Sequence, residues 1–152
     1  MFNYKDIEEL YAHKHKVPLS KGNKDIGDFY VEGVAYNVKS NNLKRKNFMP
    51  RMVSADKLYN YLQEPKNNLM IVFVDHKDTV IIRDEYVKIE NISWDCLSIQ
   101  CQGLGLLMMK GKLKIDIKQT REQFLNKLVY EYKHNYIPKE RIKLDFLEEK
   151  YV

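Results

Sequence analysis

Cysteine, glycine and proline are scarce in this chain of 152 residues, which contains two, six and four of them respectively. Cys96 and Cys101 lie five positions apart in an apolar segment, and the chain has no CxxC pair or Cys/His cluster of zinc-ligand spacing. A disulfide framework and a structural zinc site are therefore not predicted. We expect both thiols to be reduced residues of the core.

Long apolar runs are also missing. No stretch approaches the roughly 18 consecutive apolar residues that a membrane helix requires, and the opening residues MFNYKDIEELY are too acidic for a signal peptide. There is no P-loop or nucleophile elbow, and Gly103 and Gly105 lack the third glycine and the following helix of a dinucleotide fold. These absences predict a soluble, cytoplasmic protein without a membrane partner.

The charge balance is basic. The chain carries 26 Lys and Arg against 21 Asp and Glu, which gives a net charge of +5 and a pI near 9.0. This balance favours an anionic partner, and a solvated basic surface with no partner is equally compatible with it. The hydrophobic fraction of 44% is enough to bury one core, so residues 1–152 are predicted to form a single domain.

Three helices are predicted from apolar residues at helical spacing. The first covers residues 2–16, the second follows an N-cap at Ser54 and ends at Gln63, and the third runs from Thr120 to about Tyr136.

Strands are predicted between the helices. A hairpin covers residues 28–40, a buried strand covers 69–74 and pairs with 80–82, and a further strand covers 99–109. Residues 41–52 are predicted to be a loop, because they lack periodicity. The element order indicates an α/β or α+β fold with a mixed central β-sheet flanked by helices.

The hairpin carries the residues that suggest chemistry. Asp28 begins its first strand, and the second strand returns toward it through residues 34–40. Because side chains alternate along a strand, Asn37 and Lys39 are predicted to share one face while Val38 points into the core. A carboxylate, an amide oxygen and a cation at one strand pair are suited to binding Mg²⁺ and a phosphate.

These segments resemble a known signature. Gly27-Asp28-Phe29-Tyr30-Val31 and Tyr36-Asn37-Val38-Lys39-Ser40 are similar to the PD-(D/E)xK motif of restriction-endonuclease-like nucleases, in which an Asp is followed on the next strand by acid-x-Lys. Residues 92–105 are similar to the segment that follows the core in several type II restriction enzymes. The resemblance covers roughly residues 5–110.

The resemblance implies a restriction-endonuclease-like core and Mg²⁺-dependent hydrolysis of DNA phosphodiester bonds at a specific site. It implies a metal site formed by the Asp28 carboxylate, the side chain of Asn37 and the backbone carbonyl of Val38, with Lys39 near the attacking water. It also implies a homodimer on double-stranded DNA, since a palindromic target calls for two-fold symmetry.

Position 37 departs from the motif, because Asn stands where the family usually has Glu or Asp. The loss of one negative charge weakens Mg²⁺ binding. Two explanations remain open: a variant inactivated on purpose, and a natural replacement supported by a second acid. Glu8 is the first candidate for that acid and Asp6 the second. Simpler readings also remain, in which Glu8 is solvated, Asp28 begins a turn and Lys39 lies on an exposed edge strand.

Basic and carboxamide side chains near the hairpin are predicted to contact DNA, because cations bind phosphates and carboxamides can read base edges. They are Asn41, Asn42, Lys44, Arg45, Lys46, Arg51, Gln100 and Gln102. The rival hypotheses are a catalytically inactive DNA-binding module of the same fold, which Asn37 favours, and a protein-interaction domain whose charge is incidental.

Overall fold

The computed structural model describes residues 4–21, 26–43, 51–100, 103–106 and 117–135. Within these ranges the chain forms three α-helices, one 3₁₀ helix and seven strands. The helices are α1 (Tyr4–Lys14), α2 (Ala55–Gln63) and α3 (Arg121–Asn135), and the 3₁₀ helix covers Ile89–Asn91. The strands are β1 (Phe29–Val31), β2 (Val34–Asn42), β3 (Arg51–Ser54), β4 (Leu69–Lys77), β5 (Val80–Lys88), β6 (Leu97–Gln100) and β7 (Gly103–Leu106).

The predicted hairpin is present as β1 and β2. Val31 pairs with Val34, which leaves a two-residue loop of Glu32 and Gly33. Both loop residues have positive φ, 51° and 82°, as a tight hairpin turn that matches the strand twist requires. Glycine adopts this conformation without strain, whereas Glu32 does so at a cost in free energy.

The main sheet has the strand order β1-β2-β4-β5. Strand β4 lies parallel to β2, and helix α2 forms the crossover between them. The other two neighbouring pairs, β1 with β2 and β4 with β5, are antiparallel. Residues 69–74 were predicted to be a buried strand, and β4 is indeed buried along most of its length because both faces of the sheet are covered.

Two apolar cores lie on opposite faces of this sheet. On one face α1 packs through Ile7 and Tyr11 against Phe29, Val38 and neighbouring valines of β4. On the other face α2 and α3 pack against side chains of opposite parity, including Ala35 of β2. The sheet is therefore sandwiched between helices, and the predicted mixed sheet flanked by helices is confirmed at that level.

The ends of two helices show how local sequence sets their limits. Thr120 was predicted to begin the third helix, and its Oγ1 accepts a hydrogen bond from Gln123 N at 3.0 Å while Gln123 Oε1 accepts one from Thr120 N at 2.9 Å. This reciprocal pair fixes the first turn of α3. Ser54 is the N-cap residue of α2, as predicted, but its side chain makes no capping hydrogen bond.

Two predictions about strands were wrong. Residues 41–52 were predicted to be a loop, yet Asn41 and Asn42 complete β2, and Arg51 begins β3. The parallel pairing with β4 extends β2 over these polar residues, and local composition gives no sign of that pairing. Residues 99–109 were predicted to be one strand, whereas β6 and β7 are separate antiparallel strands that form a second sheet with β3 in the order β3-β7-β6. In the described ranges, no helix is long and apolar enough to cross a membrane.

Candidate catalytic site beside the hairpin

Asp28 is held at the start of β1 by two hydrogen bonds to β2. Its backbone N donates to Tyr36 O at 2.7 Å, and its Oδ2 accepts from Val38 N at 2.7 Å. The carboxylate thus extends the hydrogen bonding of the hairpin by one residue before the first residue of β1. Its orientation is fixed before any ligand binds.

Gly27 allows Asp28 to approach β2 this closely. A Cβ atom at position 27 would lie 3.0 Å from Ala35 Cβ, 3.0 Å from Phe29 O and 3.2 Å from Ala35 Cα. Two of these three neighbours are backbone atoms, which cannot move away without shifting a strand. The glycine before Asp28 is therefore a requirement of close packing.

The backbone carbonyl of Val38 faces the side of β2 on which the Asp28 carboxylate lies, as a metal site shared by the two groups requires. Its N–H faces Asp28, and the N–H and C=O of one strand residue point to the same side. The Val38 carbonyl therefore faces the same edge of β2 as the Asp28 carboxylate.

Asn37 is buried, with only 8% of its surface exposed. Its Nδ2 donates to Ile26 O at 3.2 Å, which fixes the amide so that Oδ1 points the other way. Within the described ranges, Oδ1 has no hydrogen-bond partner. A buried carbonyl oxygen without a donor carries a desolvation cost, and it is a suitable oxygen ligand for a hard cation.

Glu8, Asp28 and Lys39, from α1, the start of β1 and β2, lie near enough for their charges to interact. Burial raises the pKa of Glu8 to about 7, and the charge of Asp28 acts in the same direction. Burial also raises the pKa of Asp28, against the Val38 hydrogen bond and Lys39, which lower it. Burial lowers the pKa of Lys39, while Asp28 and Glu8 raise it. Clustered groups with shifted pKa values are typical of functional sites.

Helix α1 brings Glu8 to this cluster because it is attached to the sheet at its other end. Tyr11 OH donates to Asp84 Oδ2 at 2.6 Å, and His15 Nε2 lies 3.0 Å from Tyr86 OH. Both partners lie on β5, at the far edge of the sheet. Asp6, the weaker candidate for the second acid, is exposed in the first turn of α1.

The residues predicted to contact DNA have different locations. Asn41 is half-buried and its Nδ2 donates to Asp75 Oδ1 at 3.1 Å, while Asn42 is half-buried at the end of β2. Only the backbones of Arg51 and Gln100 are described, in β3 and β6. The others, Lys44, Arg45, Lys46 and Gln102, lie outside the described residues.

Several polar side chains with clear structural roles were not predicted from the sequence. Arg83 Nε donates to the buried Asp75 at 2.5 Å, and Arg121 pairs with the buried Glu90 at 2.9 Å. Each pair joins segments that are distant in the chain or lie on facing strands, so no local motif reveals it. The sequence contains one indication of such a pair, the charged Asp75 directly after an apolar run, because a buried charge usually has a partner.

In the described part of the chain, no group of three or more His, Cys, Asp and Glu side chains could hold a metal ion. The implied Mg²⁺ site has only two acids, Glu8 and Asp28, and its other oxygens come from Asn37 and the Val38 backbone. The donor set still fits Mg²⁺, which binds through one or two carboxylates and keeps several waters. The chain matches no protein-family model, and no curated protein shows significant sequence similarity to it.

Proposed function

We propose that this chain is a Mg²⁺-dependent endonuclease that hydrolyses phosphodiester bonds of double-stranded DNA, with a restriction-endonuclease-like core. The observation that supports this most strongly is the cluster of Glu8, Asp28 and Lys39, in which two carboxylates and one lysine from three elements are partly removed from water and electrostatically coupled. A structural ion pair needs only one acid and one base. Two acids with one lysine leave negative charge that a cation neutralises.

In this proposal Asp28 and Glu8 supply carboxylate oxygens, and Asn37 Oδ1 and the Val38 carbonyl supply neutral ones. Bound Mg²⁺ would stabilise negative charge on the phosphate and lower the pKa of a coordinated water. The hydrogen bond from Val38 N occupies Asp28 Oδ2, which leaves Oδ1 as the oxygen for the cation.

Lys39 is proposed to orient the attacking water and the phosphate. Its lowered pKa makes it a better proton donor than an exposed lysine. The water oxygen bonds to phosphorus and gives up a proton as the bond from phosphorus to the 3′ oxygen breaks. The 3′ oxygen takes up a proton, so the products are a 5′-phosphate and a 3′-hydroxyl.

One observation favours a second candidate, a catalytically inactive DNA-binding module of the same fold. The Nδ2 of Asn37 is used in a hydrogen bond to Ile26 O. Asn37 therefore has a structural role that does not need a metal, and the site has lost one negative charge relative to the motif that it resembles.

Cleavage of supercoiled plasmid DNA in Mg²⁺ and in Mn²⁺ tests the proposal. The parent chain is compared with Asp28→Asn, which keeps an oxygen acceptor for Val38 N, and with Lys39→Met, which keeps the length and apolar stem of the lysine. Both variants should lose cleavage by roughly a thousandfold, since a metal ligand or a group at the reacting phosphate supplies several kcal/mol.

Lys133→Met, on the exposed end of α3, is the matched control for lost positive charge. It should cleave as the parent does. If the parent cleaves and Asp28→Asn cleaves equally well, the active-site assignment is wrong. If the parent binds DNA in a salt-dependent manner but neither it nor Asn37→Asp cleaves with either metal, the inactive-module hypothesis is the better one.

A further inference from the structure

Strand β5 is the last strand of the main sheet, and within the described residues no strand lies on its outer side. It is nine residues long, and its exposed side chains are both charged and apolar. Of the six large hydrophobic residues that are exposed in the described ranges, Val80, Ile82 and Tyr86 lie on β5, at 58%, 52% and 39% exposure. Proteins normally protect such an edge or pair it with another chain.

The direction of the β5 backbone follows from the hydrogen bonds of β4. Asn68 O and His76 O accept bonds from the β2 side, so even-numbered residues of β4 face β2 and odd-numbered ones face β5. The partners of residues 71, 73 and 75 are residues 87, 85 and 83. The N–H and C=O groups of Asp84 and Tyr86 therefore point outward, to the open edge.

We infer that β5 pairs antiparallel with β5 of a second copy of this chain, centred on Asp84. This register places Arg83 opposite Glu85 of the partner copy twice, and the exposed Ile82 opposite Tyr86 of the partner copy twice. Opposite charges and apolar–aromatic pairs across strands both stabilise a sheet. The edge is thus complementary to itself.

Other registers are less favourable. The outward-facing backbone N–H and C=O groups of the two strands must lie opposite each other, which limits the possible shifts of the register. A shift of one step places either Arg83 opposite Arg83 or Glu85 opposite Glu85, and both bring like charges together. A shift of two steps toward Tyr86 leaves Val80 and Ile82 uncovered, and the opposite shift centres the pairing on the β-bulge at Ile82, where regular pairing is interrupted. The charges of residues 83–85 therefore oppose indiscriminate pairing and permit one register.

The preferred register brings two Asp84 side chains to the dyad. Each carboxylate already accepts the Tyr11 hydrogen bond and lies 3.7 Å from Lys14 Nζ, which offsets the repulsion. Ile82 is the extra residue of a β-bulge, and a bulge limits the length of regular pairing at an edge. The paired stretch is therefore short, and the dimer is expected to be weak.

Sedimentation equilibrium of the full chain, without DNA or metal, measures the dimer directly. The parent should dimerise, and Glu85→Arg should raise the dimer dissociation constant about tenfold or more, because two favourable pairs become like-charge pairs. Glu122→Arg makes the same charge change on the exposed surface of α3 and should leave the constant unchanged.

A mixing experiment sharpens the test. Arg83→Glu should also fail to dimerise alone, but mixed with Glu85→Arg it should form a heterodimer, since every opposite pair is then complementary. If Arg83→Glu does not fold, because Asp75 loses its partner, Ile82→Lys replaces it and should weaken the parent dimer. A parent that stays monomeric at high concentration, or a Glu85→Arg chain that dimerises normally, overturns the inference. Neither outcome depends on nuclease activity, so the proposed function is tested separately.

Discussion

Two charged clusters in the described part of the chain differ in how their charges are balanced. In the cluster of Glu90 and Arg121, one guanidinium donates to the carboxylate at 2.9 Å and also to Glu64 O, Pro65 O and Asn68 Oδ1. One carboxylate is thus paired with one guanidinium, and the remaining N–H groups of Arg121 bind the residues that follow α2. In the cluster of Glu8, Asp28 and Lys39, two acids share one lysine, and burial shifts the pKa of all three.

The comparison separates a charged cluster that has a structural role from one for which the fold provides none. Arg121 joins α3 to the end of α2 and to the 3₁₀ helix, so its hydrogen bonds are satisfied by the fold itself. The carboxylates beside the hairpin are brought together at a cost in free energy, and the fold alone gives no reason for that cost. Ligand binding would supply one.

Arg121→Ala should have the largest effect on stability. It leaves Glu90 buried and without its cation, so the free energy of unfolding should fall by about 3 kcal/mol or more. Arg121→Lys keeps the charge but loses the forked geometry, and it should recover only part of the loss. Urea unfolding measures both. Metal binding at the other cluster should be unchanged in the folded variants, and a loss of metal binding equal to that of Asp28→Asn would contradict the separation.

Gly27→Ala should come next. The new Cβ lies 3.0 Å from Ala35 Cβ and from Phe29 O, so the free energy of unfolding should fall by about 2 kcal/mol, and displacement of Asp28 should impair cleavage. Gly27→Ala combined with Ala35→Gly removes one of the clashes and should recover part of both losses. Unaltered stability and cleavage in the single variant would show that Asp28 does not depend on this close approach.

Asn37→Asp should respond to metal more strongly than the parent. Without metal, a carboxylate replaces the Nδ2 donor and faces Ile26 O, so the variant should lose about 2 kcal/mol of stability. Mg²⁺ binds the folded state and should raise the melting temperature of the variant more than that of the parent. Differential scanning calorimetry with and without Mg²⁺ measures this. Equal shifts in the two proteins would exclude position 37 from the metal site.

In metal-free protein, Glu8→Gln should have the smallest effect on stability, and that effect should depend on pH. The pKa of Glu8 is raised from 4.5 to about 7, so the folded state binds more protons than the unfolded state between these values. Its contribution to stability is present below about pH 4.5 and is lost as pH rises through about 7. The variant should therefore become more stable relative to the parent across this window. Parallel pH profiles would argue against the raised pKa.

The sequence predicted the parts of the fold that neighbouring residues in the chain determine. The tight turn at Glu32 and Gly33, the capping residue Thr120 and the apolar run of β4 each carry a short-range signal, and all three are present. The alternation of Asn37 and Val38 between two faces is likewise observed. The extension of β2 through Asn41 was not predictable in this way, because it depends on pairing with β4.

The candidate site was predictable only in part. The spacing of Asp28, Asn37 and Lys39 indicated a hairpin site, and Glu8 was already the first candidate for a second acid. Its approach to Asp28 depends on Tyr11 contacting Asp84 across the face of the sheet, a pair 73 positions apart in the chain. Nothing in the local sequence of either residue indicates that contact.

The most direct test of the central claim is to locate a bound cation by its effect on backbone NMR signals. Mn²⁺ added to the parent should broaden the amide signals of Asp28, Val38 and Lys39 at concentrations that leave those of Arg121 unchanged. Asp28→Asn should abolish this selective broadening while keeping the rest of the spectrum. Equal broadening in the parent and in Asp28→Asn, or broadening centred elsewhere, would contradict the account of this cluster as a metal-dependent active site.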